Sequence, residues 1–155
     1  MKLRIVALGV RMPAWVDAAV EDYLGRLPRE FATELLQIKP EPRDRGRTVT
    51  QMLAAEARRI AAATQGWRTI ALDERGEPWT TVRLARHLRD GRDRAENLGF
   101  VIGSADGLAA EVKRNADVIV ALSALTLAHG VARVMLAEQL YRAASMLAGH
   151  PYHRA

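Results

Sequence analysis

Apolar positions follow two rhythms along this chain. Short runs rich in β-branched residues alternate with longer segments whose apolar residues recur every three or four positions. The short runs predict five strands: Lys2–Gly9, Thr33–Ile38, Trp67–Leu72, Leu98–Ile102 and Val118–Leu122. The longer segments predict helices between and after them. Met12-Pro13-Ala14-Trp15 opens the first, with Pro near its first turn. Trp15, Ala18, Ala19, Tyr23 and Leu24 share a face at helical spacing, and the helix ends near Pro28. Thr48 followed by Gln51 is a capping-box signature for a helix to about Thr64. Thr80 caps another to about Asp90, and a short helix covers about Leu108 to Asn115. The last runs from about Val131 to Leu147 and stops at Gly149-His150-Pro151. The connections are Lys39–Arg47, a tight polar turn at Asp73–Pro78, a loop at Gly91–Arg94 and a loop at Gly103–Gly107.

Strands alternating with helices over 155 residues, with no repeat or linker, predict one α/β domain, 1–155. Its sheet is expected to be mainly parallel, with helices on both faces. In such sheets ligands sit beyond the carboxyl ends of the strands. The loops after Leu72, Ile102 and Leu122 qualify, and they lie side by side if those strands are neighbours.

The stretch after the fifth strand, Ser123 to Gly130, is too apolar for an ordinary surface loop. It offers leucines, backbone amides and the hydroxyls of Ser123 and Thr126. Two readings stand: an apolar slot for a flat heterocycle such as adenine, or a segment buried under the next helix. That helix is apolar nearly all round, which calls for burial on more than one side and suggests a dimer interface. Glu138 and Arg142 stand four apart and can pair; Arg142 could instead neutralise a phosphate or an oxyanion. The tail gathers a histidine, a phenol and a guanidinium in its final residues, so it is either frayed or closes an active site.

Composition narrows the chemistry. No cysteine means no disulfide, no thiol nucleophile and no Cys-based metal site. The four histidines include the pair His150 and His153, but no third ligand stands in an obvious place, so no metal is expected. Gly103 and Gly107 do not form a dinucleotide fingerprint, because they occur late and lack the following acidic residue. No Ser-His-Asp order with a nucleophile elbow is visible. The N-terminus lacks a signal-peptide layout, and the longest apolar run is too short to span a membrane, so a cytoplasmic protein is expected. The net charge is +5, carried mostly by arginine, with lysine only at 2, 39 and 113. Arginine forks suit a nucleic-acid partner; a genome preferring Arg codons gives the same composition. Lys39, Arg43, Arg45 and Arg47 could grip a phosphate backbone or simply keep their loop solvated.

The run L-S-A-L-T-L-A-H-G-V-A-R-V-M-L-A-E-Q-L-Y-R-A and the terminal H-P-Y-H-R-A resemble the RlmH (formerly YbeA) family, as do the N-terminal K-L-R-I-V-A-L-G-V-R-M-P-A-W and the central L-D-E-R-G-E-P-W-T. The resemblance covers essentially the whole chain. It implies a homodimeric S-adenosylmethionine-dependent methyltransferase of the SPOUT class, with a C-terminal trefoil knot that general fold rules argue against. It implies methylation at N3 of a pseudouridine in 23S ribosomal RNA of the assembled ribosome. Leu72, Gly103 and the loop Leu122, Ser123, Ala124, Leu125, Thr126 and Leu127 would hold the cofactor, at the three strand ends singled out above. The tail, in cis or from the partner subunit, would complete the RNA site. There His153 is the candidate general base, since imidazole titrates near neutral pH. Arg154 and Arg142 would orient RNA and stabilise charge on the base oxygens, and Tyr152 could stack on a base. The chain departs from the family in two places. The family loop G-G-P-E-G is Gly103-Ser104-Ala105-Asp106-Gly107, and L-P-H is Leu127-Ala128-His129; cofactor binding is expected to survive both. A non-catalytic RNA- or ribosome-binding protein, or a methyltransferase for another RNA, are the rival readings.

Overall fold

The computed structural model describes residues 1–43 and 46–154, the side chain of His153 excepted. Five strands form one sheet in the order β2-β1-β4-β3-β5: β1 Leu3–Leu8, β2 Thr33–Ile38, β3 Arg68–Pro78, β4 Leu98–Ile102 and β5 Val118–Ala121. Every neighbouring pair is parallel. Side chains alternate between the two faces, as the pleat dictates. Leu3, Ile5, Ile70, Leu98 and Phe100 pack with Leu84 and Leu88 of α3 (Thr81–Asp93) and Leu136 and Leu140 of α5 (His129–Leu147). Val6, Leu8, Ala71 and Val101 pack with Ile60 of α2 (Val49–Thr64) and Val112 of α4 (Ala110–Asn115). Helices therefore cover both faces. Burial on both faces is why β4 reads as an unbroken apolar run.

Local signals set several boundaries. Thr48 and Gln51 exchange both bonds of a capping box, and the Thr80 hydroxyl accepts from the Arg83 amide at 3.2 Å. Four expectations need correction. In α1 (Ala14–Gly25) the buried face carries Val16 and Val20, whereas Trp15 is 58% exposed; the apolar count favoured the larger side chain on the wrong face. Helix α3 continues through Gly91 to Asp93, since Gly91 is buried against Leu98 and Met1 and its missing side chain admits them. Helix α5 starts at His129, two residues before Val131. The polar turn at Asp73–Pro78 belongs to β3. Leu72 pairs with Val120, and after an irregularity Glu77 and Pro78 pair with Val120 and Ala121. Gly76 allows that return, because a Cβ there would stand 2.6 Å from the Val120 carbonyl carbon. The Asp73 carboxylate, accepting from the Arg75 amide at 2.9 Å, supplies the turn that was read from composition.

Helix α5 lies against the sheet with α1 and α3 packed on it. This accounts for much of its all-round apolarity within one chain. Val131 in its first turn stays exposed, as do Trp15 in the first turn of α1 and Val10.

Candidate active site

Because β4, β3 and β5 are neighbours, the loops that follow β4 and β5 meet the irregular stretch of β3 after Leu72. They enclose a cavity of about 530 Å³, within the usual size range of small-molecule sites. Leu72, Gly103, Leu122, Ser123, Leu125, Thr126 and Leu127 line it; Ala124, which is exposed, does not. The loop Leu122–Leu127 is not buried under α5, for Leu125 is 75% exposed. Its hydroxyls are committed locally: Ser123 Oγ accepts from the Leu125 amide at 2.9 Å, and Thr126 donates to Glu74 at 2.9 Å. This second bond ties the rim of one strand end to another.

Asp73, Glu74, Lys113 and His129 are among the lining residues that sequence reasoning missed. Asp73 and Glu74 directly follow Leu72, but their composition alone signals a polar turn. Burial works against the Asp73 charge, yet the Lys113 ammonium at 2.5 Å and the Arg75 amide hold its carboxyl below the usual range. His129 Nδ1 lies 2.8 Å from the Gly103 carbonyl, to which it must donate. Its Nε2 is then the acceptor, and Arg133 Nε donates to it at 2.8 Å. The ring is accordingly neutral. Burial, and then the Arg133 cation, depress its pKa.

A second histidine, His87, is also depressed, first by burial and then by Arg68. Its ring lies tilted against Trp79, with centroids 4.9 Å apart, and its Nε2 is buried without a hydrogen-bond partner. Both imidazoles ionise more readily unfolded than folded. The stability they contribute is complete above the ordinary value of 6.5 and is lost as pH falls through the lower folded values. Thermal scans from pH 7 downwards should therefore show a falling Tm below about pH 6.5. His87→Phe, apolar and of similar shape, should fold and flatten part of that fall; an unchanged acid slope would exclude His87 from it.

The expected catalytic residues gather elsewhere. Residues Pro151–Arg154 form a 3-10 turn folded back on α5. The Tyr152 ring meets Tyr141 edge-on at 4.7 Å, and its hydroxyl donates to Glu138 at 3.2 Å. Desolvation, with help from Tyr23 and Glu138, pushes this phenol up to about 12. Arg142 pairs with Glu138 at 2.7 Å and reaches the Tyr152 carbonyl at 3.4 Å. Arg154 is exposed on the same turn. The side chain of His153, the candidate base, lies outside the described residues. Along α5, Arg142 stands ten residues beyond the cavity residue Ala132, roughly 15 Å at the helical rise. The tail cluster and the cavity of one chain are therefore apart. Expected phosphate grips in the 39–47 loop are likewise engaged: Arg47 and Arg59 pair with Glu41, and Arg43 with Glu56 and Asp106. Arg45 lies outside the described residues. Among the described residues no three His, Asp or Glu converge to hold a metal, and no helix is long and apolar enough to cross a membrane.

A parallel sheet whose cavity is built from the loops after β4 and β5 and the irregular stretch of β3 between them, with an apolar helix following directly, defines a class. The chain belongs to the SPOUT methyltransferase family: residues 1–153 match the family model described as "Predicted SPOUT methyltransferase". Its similarity to a particular group within that class is full-length. It is 52% identical to the Ribosomal RNA large subunit methyltransferase H of Laribacter hongkongensis, covering 99% of both chains. It is also 52% identical to that of Bordetella avium, covering all of both, and 51% identical to that of Burkholderia ambifaria, again covering all of both. The resemblance to the RlmH family is thus borne out, and membership in the SPOUT class carries with it the expected C-terminal knot. Two solved structures share the fold. A "Probable Methyltransferase" of Bordetella pertussis Tohama I superposes with a TM-score of 0.61 at 19% identity, covering 92% of this chain and 95% of that one. A tRNA methyltransferase of Aquifex aeolicus does so at 0.52 and 14% identity, covering 90% and 69%.

Proposed function

We propose that this protein is a homodimeric, cytoplasmic enzyme that methylates N3 of a pseudouridine in 23S ribosomal RNA of the assembled ribosome, using S-adenosylmethionine. The observation that carries the reading is the strand-end cavity, lined by seven of the eight residues that the family resemblance assigns to the cofactor, all but Ala124. The residues present fit that ligand. Leu72, Leu122 and Leu127 offer an apolar wall for adenine, and Asp73 and Glu74 offer carboxylates to a molecule that carries positive charge. S-adenosylmethionine, when bound, supplies an activated methyl group, so no metal is needed.

The remaining tasks fall to the tail. N3 must lose its proton, and His153 is the residue to take it. Arg154 and Arg142 stabilise the negative charge that develops on the base oxygens. Glu138 holds Arg142 by two contacts, at 2.7 and 2.8 Å, which keeps the guanidinium oriented. Tyr152, protonated throughout the physiological range, presents a ring for stacking. The separation of tail and cavity within a chain favours a composite site, in which the tail of one subunit serves the cavity of the other. The exposed Trp15 and Val131 at the first turns of α1 and α5, with Val10 in the connection before α1, supply apolar surface for such a dimer.

Mixed dimers test this. Gly103→Ala impairs the cavity and Arg154→Ala the tail, so at a cofactor concentration that just saturates wild type each homodimer is expected to be nearly inactive. If sites form across the interface, a heterodimer of the two has one site with both halves intact. Random mixing should then restore about a quarter of wild-type activity. No recovery in verified heterodimers would place the tail in cis.

A further inference from the structure

One buried carboxylate stands behind the cavity without touching it. Glu56, on α2, is 2% exposed. Its neighbours on that helix face, Met52, Ala55 and Ile60, are apolar, and a leucine there would pack without the cost of desolvating a charge. Glu56 instead collects three donors from distant parts of the chain. Oε1 accepts from the Glu41 amide at 3.0 Å and from Arg43 Nη1 at 3.0 Å. Oε2 accepts from Ser104 Oγ at 3.0 Å.

Arg43 closes the ring. Its second nitrogen donates to Ser104 Oγ at 3.0 Å and pairs with Asp106 at 2.7 Å. A guanidinium only donates and a carboxylate only accepts, so the Ser104 hydroxyl has one orientation open to it: it accepts from Arg43 and donates to Glu56. Ser104 and Asp106 belong to the loop whose inner side lines the cavity. That loop is short, closed on itself by the Ser104–Gly107 bridge, and held from within by His129 on the Gly103 carbonyl. Glu56 and Arg43 hold it from without.

We infer that Arg43 and Glu56 are positioning residues for the cofactor site, which act by fixing Ser104 and Asp106 so that Gly103 and its loop present one shape to S-adenosylmethionine. The inference rests on the cofactor reading above. It also accounts for the chain's departure from the family's G-G-P-E-G loop. A serine at 104 loses the freedom of glycine but gains a bond to Arg43 and one to Glu56, and Asp106 keeps an acid for Arg43 to hold.

The test is a calorimetric titration of S-adenosylmethionine into wild type, Arg43→Ala, Arg43→Lys and Glu56→Gln, with steady-state methylation of ribosomes alongside. Arg43 is partly exposed, so its variants are expected to fold; circular dichroism and Tm check this. Glu56→Gln keeps the shape but places an amide donor against Arg43, the Glu41 amide or Ser104. For Arg43→Ala and Glu56→Gln the Kd and KM for the cofactor should rise about tenfold, with kcat at saturating cofactor within about twofold. Arg43→Lys, a point charge without the fork, should fall between. A role confined to stability would lower Tm and leave Kd unchanged; that result in a folded Arg43→Ala overturns the inference alone. Absence of binding to wild type, with and without ribosomes, overturns the cofactor reading and this inference with it.

Discussion

Gly103→Ala is expected to weaken S-adenosylmethionine binding by about 100-fold, about 2.8 kcal/mol, while the protein stays folded. A Cβ at this position would stand 2.6 Å from the Gly107 carbonyl oxygen and 2.7 Å from its carbon. Both are backbone atoms, so no side chain can swing aside. The strain must open the Ser104–Gly107 bridge or push Gly103 out of line. Gly103 is buried at the end of β4, where its carbonyl also takes the His129 bond. Any shift therefore moves the cavity floor and the first turn of α5 together. Calorimetry on the folded variant checks the expectation. Wild-type affinity would mean that the loop adapts and that its shape does not govern binding.

Arg133→Ala should cost about 3–4 kcal/mol of folding stability, read as a lower midpoint in denaturant. Arg133 is 1% exposed and its three partners are all neutral. Nε donates to His129, Nη1 to Gln37 at 3.0 Å and Nη2 to the Gly9 carbonyl at 2.6 Å. The side chain thus joins α5 to the ends of β1 and β2, elements more than ninety residues away in sequence. Truncation leaves a cavity and three acceptors without donors. Removing the buried cation relieves some desolvation, which keeps the cost below the sum of those terms. Arg133→Lys should recover less than half, because one ammonium cannot reach three diverging acceptors. Losses under about 1 kcal/mol for both would show that water replaces the fork.

What could be read beforehand follows from where the information lies. Strand and helix positions sit in local periodicity, so β4 and its fully apolar run, or the Thr48–Gln51 box, were legible. The cavity was legible too, because strand ends collect ligands in any parallel sheet once β4, β3 and β5 are neighbours. Trp15 was misplaced because hydrophobicity alone does not choose among helix faces when Val16 and Val20 offer a smaller, better-fitting one. The return of β3 past Asp73 depended on a contact between Gly76 and Val120, which no window of sequence contains. Glu56, Arg43 and Arg133 share that property. Their partners are brought by tertiary folding, and charged residues among apolar ones carry no sign of whom they will meet. The roles proposed for Tyr152 and Arg154 rest on the family resemblance, since an isolated tail motif has no periodicity to read.

The measurement that bears most directly on the account is transfer of labelled methyl from S-adenosylmethionine to ribosomes prepared from cells lacking this enzyme. The account predicts one methyl per ribosome, in large-subunit RNA, at N3 of a pseudouridine, and none with Gly103→Ala at comparable cofactor concentration. Binding of cofactor and ribosomes by the wild-type protein without any transfer of label, or label on a different RNA, would contradict it.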